Sequence, residues 1–294
     1  MADIISNVDY NTIRNKITEV MNVGSGDYGY GQPLASTSVA ATQKITKQQW
    51  DSLRFDIYNA RLHQTGLNPD IIVIQTTNVI SKGANQPNFQ YLTIAEQARV
   101  DRMLLGAGQS ATVSAGSTNR NSAWANSLTA TVTVTFSTND QARYFFNSGG
   151  KIRFSSSRGG GAASQQNTAW SSLLSASGAQ DFGSVTPLVG FYGLTNSYQT
   201  FYTSTSSSPY SNNRYTIEAK SNVADNSGGT ATVVTFQITY NDAYTDPGAP
   251  DPGDLVDGLL TLTVDEVKAV GPLLPTGTFS ITSPSYSISS ITGS

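Results

Sequence analysis

This sequence predicts an α+β fold: a mainly helical region over 1–105, a Gly/Ser-rich linker over 106–127, and a mainly antiparallel, β-sandwich-like domain with short helices over 128–294. Three observations lead there. Apolar residues recur at helical spacing in the first hundred residues. Beyond residue 127 the period falls to two. The later apolar runs are short and separated by Gly, Ser, Asn and Pro, the residues of turns.

The first helix begins near Asp9, carries Ile13, Ile17, Val20 and Met21 on one face, and stops at Gly24. Thr46 and Gln49 have capping-box spacing and open the second helix, which Gly66 ends. Trp50, Leu53, Ile57 and Ala60 form one stripe of that helix, and Phe55, Tyr58 and Leu62 lie on another face. Two apolar faces predict packing on both sides, within a bundle or against a partner. A short strand is expected at 71–74, and Thr93 with Glu96 repeats the capping-box spacing ahead of a third helix reaching about Leu105. "GAGQSATVSAGSTNRNS" is small, polar and Gly-rich, and so reads as the linker.

In "LTATVTVTF", Leu128, Ala130, Val132, Val134 and Phe136 alternate with four threonines, a half-buried strand with a threonine outer face. A short helix follows, capped by Thr138 and Gln141 and carrying Tyr144, Phe145 and Phe146; "NSGG" then turns into the strand "KIRFS". Trp170, Leu173 and Leu174 mark another short helix, and further strands are expected around 188–193, 199–205, 214–222, 230–241, 259–264 and 278–291. The sequence shows no fixed-period repeat.

Composition narrows the function classes. Only 13% of the 294 residues are charged, with 17 basic against 20 acidic, so no basic patch suggests nucleic acid or an anionic membrane as partner. Polar surface comes instead from 71 Ser and Thr, which suit strand faces and turns. With no cysteine and one histidine, disulfides, thiolate zinc sites, Cys nucleophiles and multi-His sites are excluded. The start MADIISNVDY lacks the pattern of a signal peptide, and no apolar run approaches the ~18 residues of a membrane span. A soluble protein made in a cytoplasm is expected.

Four features compete for a site. Gly24, Gly26 and Gly29 in "GSGDYGYGQP" have G-x-G-x-x-G spacing, but they follow a helix and precede Gln32-Pro33, so no nucleotide site is expected. A tight turn is the better reading, with Tyr28 and Tyr30 packed across helices or presented as an aromatic contact. "SSRGGGA", around Arg158, reads as a hairpin loop, since one RGG element lacks a basic neighbourhood. His63, at the end of the second helix, is expected to favour the helix dipole; no catalytic constellation accompanies it. Asp251, Asp254 and Asp257 fall within a turn-rich acidic loop where Ca²⁺ is conceivable by ligand type. Asp-Pro-Gly is also ordinary turn chemistry, and a solvated loop with no cofactor is expected.

"YNTIRNKI", "GYGQP" and "ITKQQWDSLRFDIYNARLHQTG", in that order, resemble structural proteins of tailed bacteriophages infecting cyanobacteria. "TVTVTFSTNDQARYFFNSGGKIRFSSSRGGG", followed by Trp170 and Leu173-Leu174, is similar to a segment recurring in phage virion proteins. The resemblance covers roughly 10–66 and 128–174. It implies a non-enzymatic virion component of the neck, tail, baseplate or fibre, assembled in the host cytoplasm, with other virion proteins and further copies of itself as partners. It carries no catalytic residues. The expected interface is Trp50, Phe55, Tyr58, Leu62, Tyr28 and Tyr30. The alternative is a tail-fibre adhesin that binds host-surface glycan, with Tyr198, Phe201, Tyr202, Tyr210 and Tyr215 as aromatics in reach. A hydrolase that degrades the host envelope stands third, since a glycosidase needs two carboxylates across a cleft.

Overall fold

Three helices are set by their first turns. Helix α1 (Asn7–Met21) starts at Ser6, whose hydroxyl accepts from the Asp9 amide while Asp9 answers to the Ser6 amide at 2.8 Å. Helix α2 (Lys47–Thr65) has the same reciprocal cap between Thr46 and Gln49 and ends on Gly66 in the left-handed region, φ 70°. Helix α3 (Pro87–Val100) begins earlier than the sequence pattern implied. Pro87 occupies its first turn, where a missing N–H costs nothing. Thr93 sits mid-helix, its hydroxyl donating back to the Phe89 carbonyl at 2.9 Å rather than capping.

The computed structural model describes residues 5–75, 83, 86–185, 189–244 and 255–293. The chain forms two compact units. One comprises Met1–Ala111, Arg143–Gly150 and Lys268–Thr282, and the other comprises Thr112–Ala142, Lys151–Val267 and Ser283–Ser294. The helical region is therefore discontinuous in sequence, where a single run over 1–105 was expected.

In the helical unit Trp50 sits in an aromatic trio, edge-on to Tyr10 at 5.2 Å and to Tyr91 at 5.5 Å, which ties α2 to α1 and α3. All three rings are buried, and aromatic pairs of this geometry add about 1 kcal/mol each beyond their area. Both phenols find backbone acceptors: Tyr10 donates to the Gln49 carbonyl and Tyr91 to that of Ile72. The expected strand at 71–74 is not formed: residues 71–75 carry no regular secondary structure. The Gln90 side chain holds this stretch, accepting from the Ile72 amide and donating to the Asp70 carbonyl.

The other unit is a two-sheet sandwich. One sheet has the order β1 (Ser110–Arg120), β8 (Leu259–Ala269), β3 (Lys151–Gly159), β4 (Gln180–Phe182). The second runs β10 (Thr292–Gly293), β2 (Ser127–Thr135), β7 (Val233–Asn241), β6 (Arg214–Ser221), β5 (Gln199–Thr205), with β9 (Ser285–Ile288) also paired to β2. Between the sheets, Phe154 and Phe182 meet Phe236, with centroids at 4.7 and 5.0 Å, and Phe201 closes against Phe182 at 5.3 Å. The Ser156 hydroxyl crosses the same gap to the phenols of Tyr240 and Tyr215 at 2.7 and 3.2 Å, and burial pushes both phenols up. Outside, one row of threonines crosses five strands: Thr292, Thr129, Thr239, Thr216 and Thr203. Helices α4 (Asn139–Asn147) and α5 (Gln165–Ser177) are where the sequence expected short helices, and the Thr138 hydroxyl caps the Gln141 amide.

Two expectations are corrected here. Strand β1 occupies the middle of the expected linker over 106–127. Apart from Arg120 its side chains are uncharged, most are small, and none is buried, so it carries no alternating signal. The run at 188–193 holds a single 3-10 turn, Phe191–Gly193, and residues 186–188 lie outside the described ones.

Candidate interaction surfaces

The glycine loop encloses an arginine. Gly24, Gly26, Gly29 and Gly31 all have positive φ, and a Cβ on Gly29 would lie 2.2 Å from the Val23 oxygen. The loop's carbonyls turn inward. Arg143 donates from Nε to Gly26 O at 2.9 Å and from Nη2 to Tyr28 O and Val23 O at 2.8 and 3.2 Å. Asn147 adds bonds to the Gly26 and Gly29 carbonyls. A phosphate loop presents N–H groups to an anion. This one presents oxygens to a cation, so its polarity is opposite to that of a nucleotide site.

Polar residues of α2 outside its second apolar face hold other parts of the chain. Asp56 accepts from the Ala35 and Ser36 amides at 2.8 and 2.9 Å, and burial raises its carboxyl despite those bonds. Asn59 bonds both the N–H and the C=O of Leu274, and Gln32 does the same for Ser280. Gln64 donates to the Tyr30 phenol and the Ala98 carbonyl. Residues 30–39 and 271–280 thereby lie against the helix, while Phe55 and Tyr58 of the second face stay half-buried.

The expected interface residues separate accordingly. Trp50, Leu62 and Tyr30 are buried, and Tyr30 is fully so, with its phenol donating to Arg102 O at 2.7 Å. They are core residues, because their apolar surface is already spent inside the unit. Phe55, Tyr58 and Tyr28 are half-buried. Arg54 lies over the Phe55 ring, Tyr58 donates to Asn68, and Tyr28 carries the Arg102 guanidinium at 4.3 Å.

His63 does not serve the helix dipole as a cation. It is stacked on Phe279 at 4.4 Å and tilted against Tyr30 at 4.9 Å, and neither ring nitrogen has a hydrogen-bond partner. Burial pushes its pKa down to about 4, so the ring is neutral at physiological pH.

Asp251 and Asp254 lie outside the described residues. Asp257 is described, and its carboxylate is occupied by the chain. It accepts from the Ala162 amide at 3.0 Å, from the Asn167 amide side chain and from Arg158, and those donors hold its pKa down. Where a solvated loop was expected, this carboxylate accepts from N–H groups of the chain. Among the described residues no three acidic or imidazole groups converge as a metal site. Arg158 forms the base of a depression of roughly 650 Å³ lined by Gly160, Thr168 and Ser171, yet its donors go to Asp257, Asn167, Ser171 and Gly160. Of the aromatics considered for glycan, Phe201 and Tyr215 are core, while Tyr198, Tyr202 and Tyr210 are half-buried.

Sequence reasoning missed two exposed surfaces. On the helical unit, Val8 and Val100 are each 65% exposed, and Val23, Phe89 and Leu104 are about half exposed. Leu92 and Val100 line a groove of roughly 420 Å³ with Lys16 and Glu96. Phe89, Leu92 and Val100 share a stripe at helical spacing, which is the signal that could have found it once the helix was begun at Pro87. The second surface is β1, where no residue is buried. In comparison with known proteins, the chain matches no family model, no curated protein and no solved structure.

Proposed function

We propose that the chain is a non-enzymatic structural component of a tailed-phage virion, of the neck, tail, baseplate or fibre, which works through protein–protein interfaces. The observation that carries this reading is the apolar stripe of α3, where Phe89 and Val100 face solvent and Val100 lines a groove with Leu92. An exposed apolar stripe of this kind marks a site of protein association. A second support is how the polar residues of the resembling segments are used. Asp56, Asn59, Gln64 and Arg143 hold the chain's own backbone, as framework residues do.

The test is mass spectrometry of purified particles of the encoding phage. The chain is expected there at fixed stoichiometry, and abundance in infected cells with absence from particles overturns the reading. Phe89→Glu with Val100→Lys is expected to block incorporation while leaving the melting curve of the free protein unchanged. The glycan-adhesin reading draws on the uncharged threonine face and on Tyr198, whose ring carries Lys220 at 4.4 Å. It predicts that purified protein binds host cells and blocks adsorption.

A further inference from the structure

We propose that β1 is the strand through which two copies of this chain join, paired antiparallel about a two-fold axis. The inference deepens the interface reading by naming one partner, and it rests on that reading for its biological setting. Its test uses the purified chain alone, so its failure and that of virion membership are told apart.

The argument begins with the edges of the two sheets. An open edge offers unpaired N–H and C=O groups to any strand, and proteins blunt such edges by shortness, bulges, proline or charge. Most edges here are blunted. Strand β4 has three residues, β9 four and β10 two, and β5 breaks register between Thr200 and Tyr202. Strand β1 ends its sheet with 11 residues, "SATVSAGSTNR", which contain no proline, no acid and no lysine. Its single charge, Arg120, is turned back onto the Ser122 and Ile291 carbonyls.

The geometry of the strand narrows the contact. Exposure alternates irregularly along β1, and Gly116 has φ 137° with its Cβ position 3.1 Å from the Ile288 methyl. A glycine of this kind marks a kink. The straight part is therefore 110–115, which spans about 20 Å.

A second copy fits this segment by its chemistry. With an axis at Val113, Val113 faces Val113 of the other copy, Thr112 faces Ser114, and Ala111 faces Ala115. Every opposed pair is uncharged, so self-pairing sets no like charges together. Val113, 46% exposed in the single chain, gains an apolar neighbour across the axis. An isologous pair also consumes both open edges at once and closes the assembly, whereas an unpaired edge remains a template for further strands.

The experiment is sedimentation equilibrium of the full-length chain from about 1 to about 100 μM, where a reversible dimer makes mass depend on concentration. Thr112→Lys with Ser114→Lys is expected to weaken dimerisation at least about tenfold, by setting lysines close together across the axis, with an unchanged melting curve. The chain has no cysteine, so single cysteines report position without background. Val113→Cys is expected to cross-link between copies under mild oxidation, while Ser110→Cys, Thr112→Cys and Ala115→Cys, which lie off the axis, are not. A monomer throughout the range overturns the proposal, as does a dimer indifferent to the lysines or cross-linking equal at all four positions. If the lysine variant does not fold, the cysteine series decides.

Discussion

The helical unit and the sheet unit differ in how far they rely on side chains to satisfy backbone. In the sheet unit β2, β7 and β6 form continuous antiparallel ladders, and the space between the sheets is filled by Phe154, Phe182, Phe201 and Phe236. Side chains such as Arg158, Asn213 and Asn226 serve its loops. In the helical unit much extended chain has no strand partner, and side chains supply the missing bonds. Asp56, Asn59, Gln32, Gln64 and Gln90 each hold one or two backbone groups of a distant segment. Arg143 holds three carbonyls of the glycine loop. The lesson is that a buried amide or carboxylate can be a substitute β-strand, so polar residue type by itself does not point to chemistry.

That contrast can be broken most forcefully at Arg143. Arg143→Met removes the donor from the part-buried carbonyls of Val23 and Tyr28, while Asn147 still donates to that of Gly26. It is expected to cost about 4 kcal/mol, at about 1–3 kcal/mol for each orphaned group. That is comparable to Phe236→Ala in the sandwich, which loses packing and opens a cavity for about 3–5 kcal/mol. Urea unfolding of both variants checks this; a cost below about 1 kcal/mol for Arg143→Met would mean that water replaces the side chain, and the contrast would fall.

The next effect is a pH dependence. His63 titrates near 6.5 when unfolded and near 4 when folded, so between those values the unfolded chain binds more protons. Stability is therefore expected to fall as pH drops through 6.5 towards 4, by about 3 kcal/mol in total, and to level off below. His63→Phe should remove that slope, as read by denaturant unfolding at a series of pH values. Asn59→Ala comes third, at about 2 kcal/mol, because the N–H and C=O of Leu274 both lose their partner. The smallest effect belongs to the exposed ion pairs between α1 and α3. Arg99→Gln breaks contacts to Glu19 and Glu96 at 2.7 and 3.0 Å, yet a loss below about 1 kcal/mol is expected, falling further in high salt.

What was legible in the sequence follows the same division. The α+β class, strand β2 with its threonine face and the caps of α2 and α4 could be read, because each rests on a local rule: period two, or a cap three residues from its partner. Strand β1 could not, since a strand buried on neither face has no period to detect. The start of α3 was misplaced because Thr93 and Glu96 imitate a capping box from inside a helix. At the candidate surfaces, the two apolar stripes of α2 were visible, but the segments held by its polar residues were not. The pairing of Asn59 with Leu274 leaves no trace in spacing, and neither does the pairing of Arg143 with the glycine loop. The same holds for Asp257, whose acidic neighbourhood suggested a cation while its actual ligands are amides of 162 and 167.

The discontinuity of the helical unit sets an order of events during synthesis. Asn59 and Leu274 are 215 residues apart, and Gln32 and Ser280 are 248. Helix α2 emerges from the ribosome long before the residues it clasps, and at ~5–20 residues per second the wait is roughly ten to forty seconds. Throughout that interval His63 and the inner amides of α2 stay wet, and nearly all strands of the sandwich are made before residue 282 arrives. The loop closed by the final docking is long, but its entropic cost rises only with the logarithm of its length. A segment made near the end of synthesis is therefore the one that completes the first unit begun, and a chain stopped before residue 271 carries its opening helices without the backbone that lies against them.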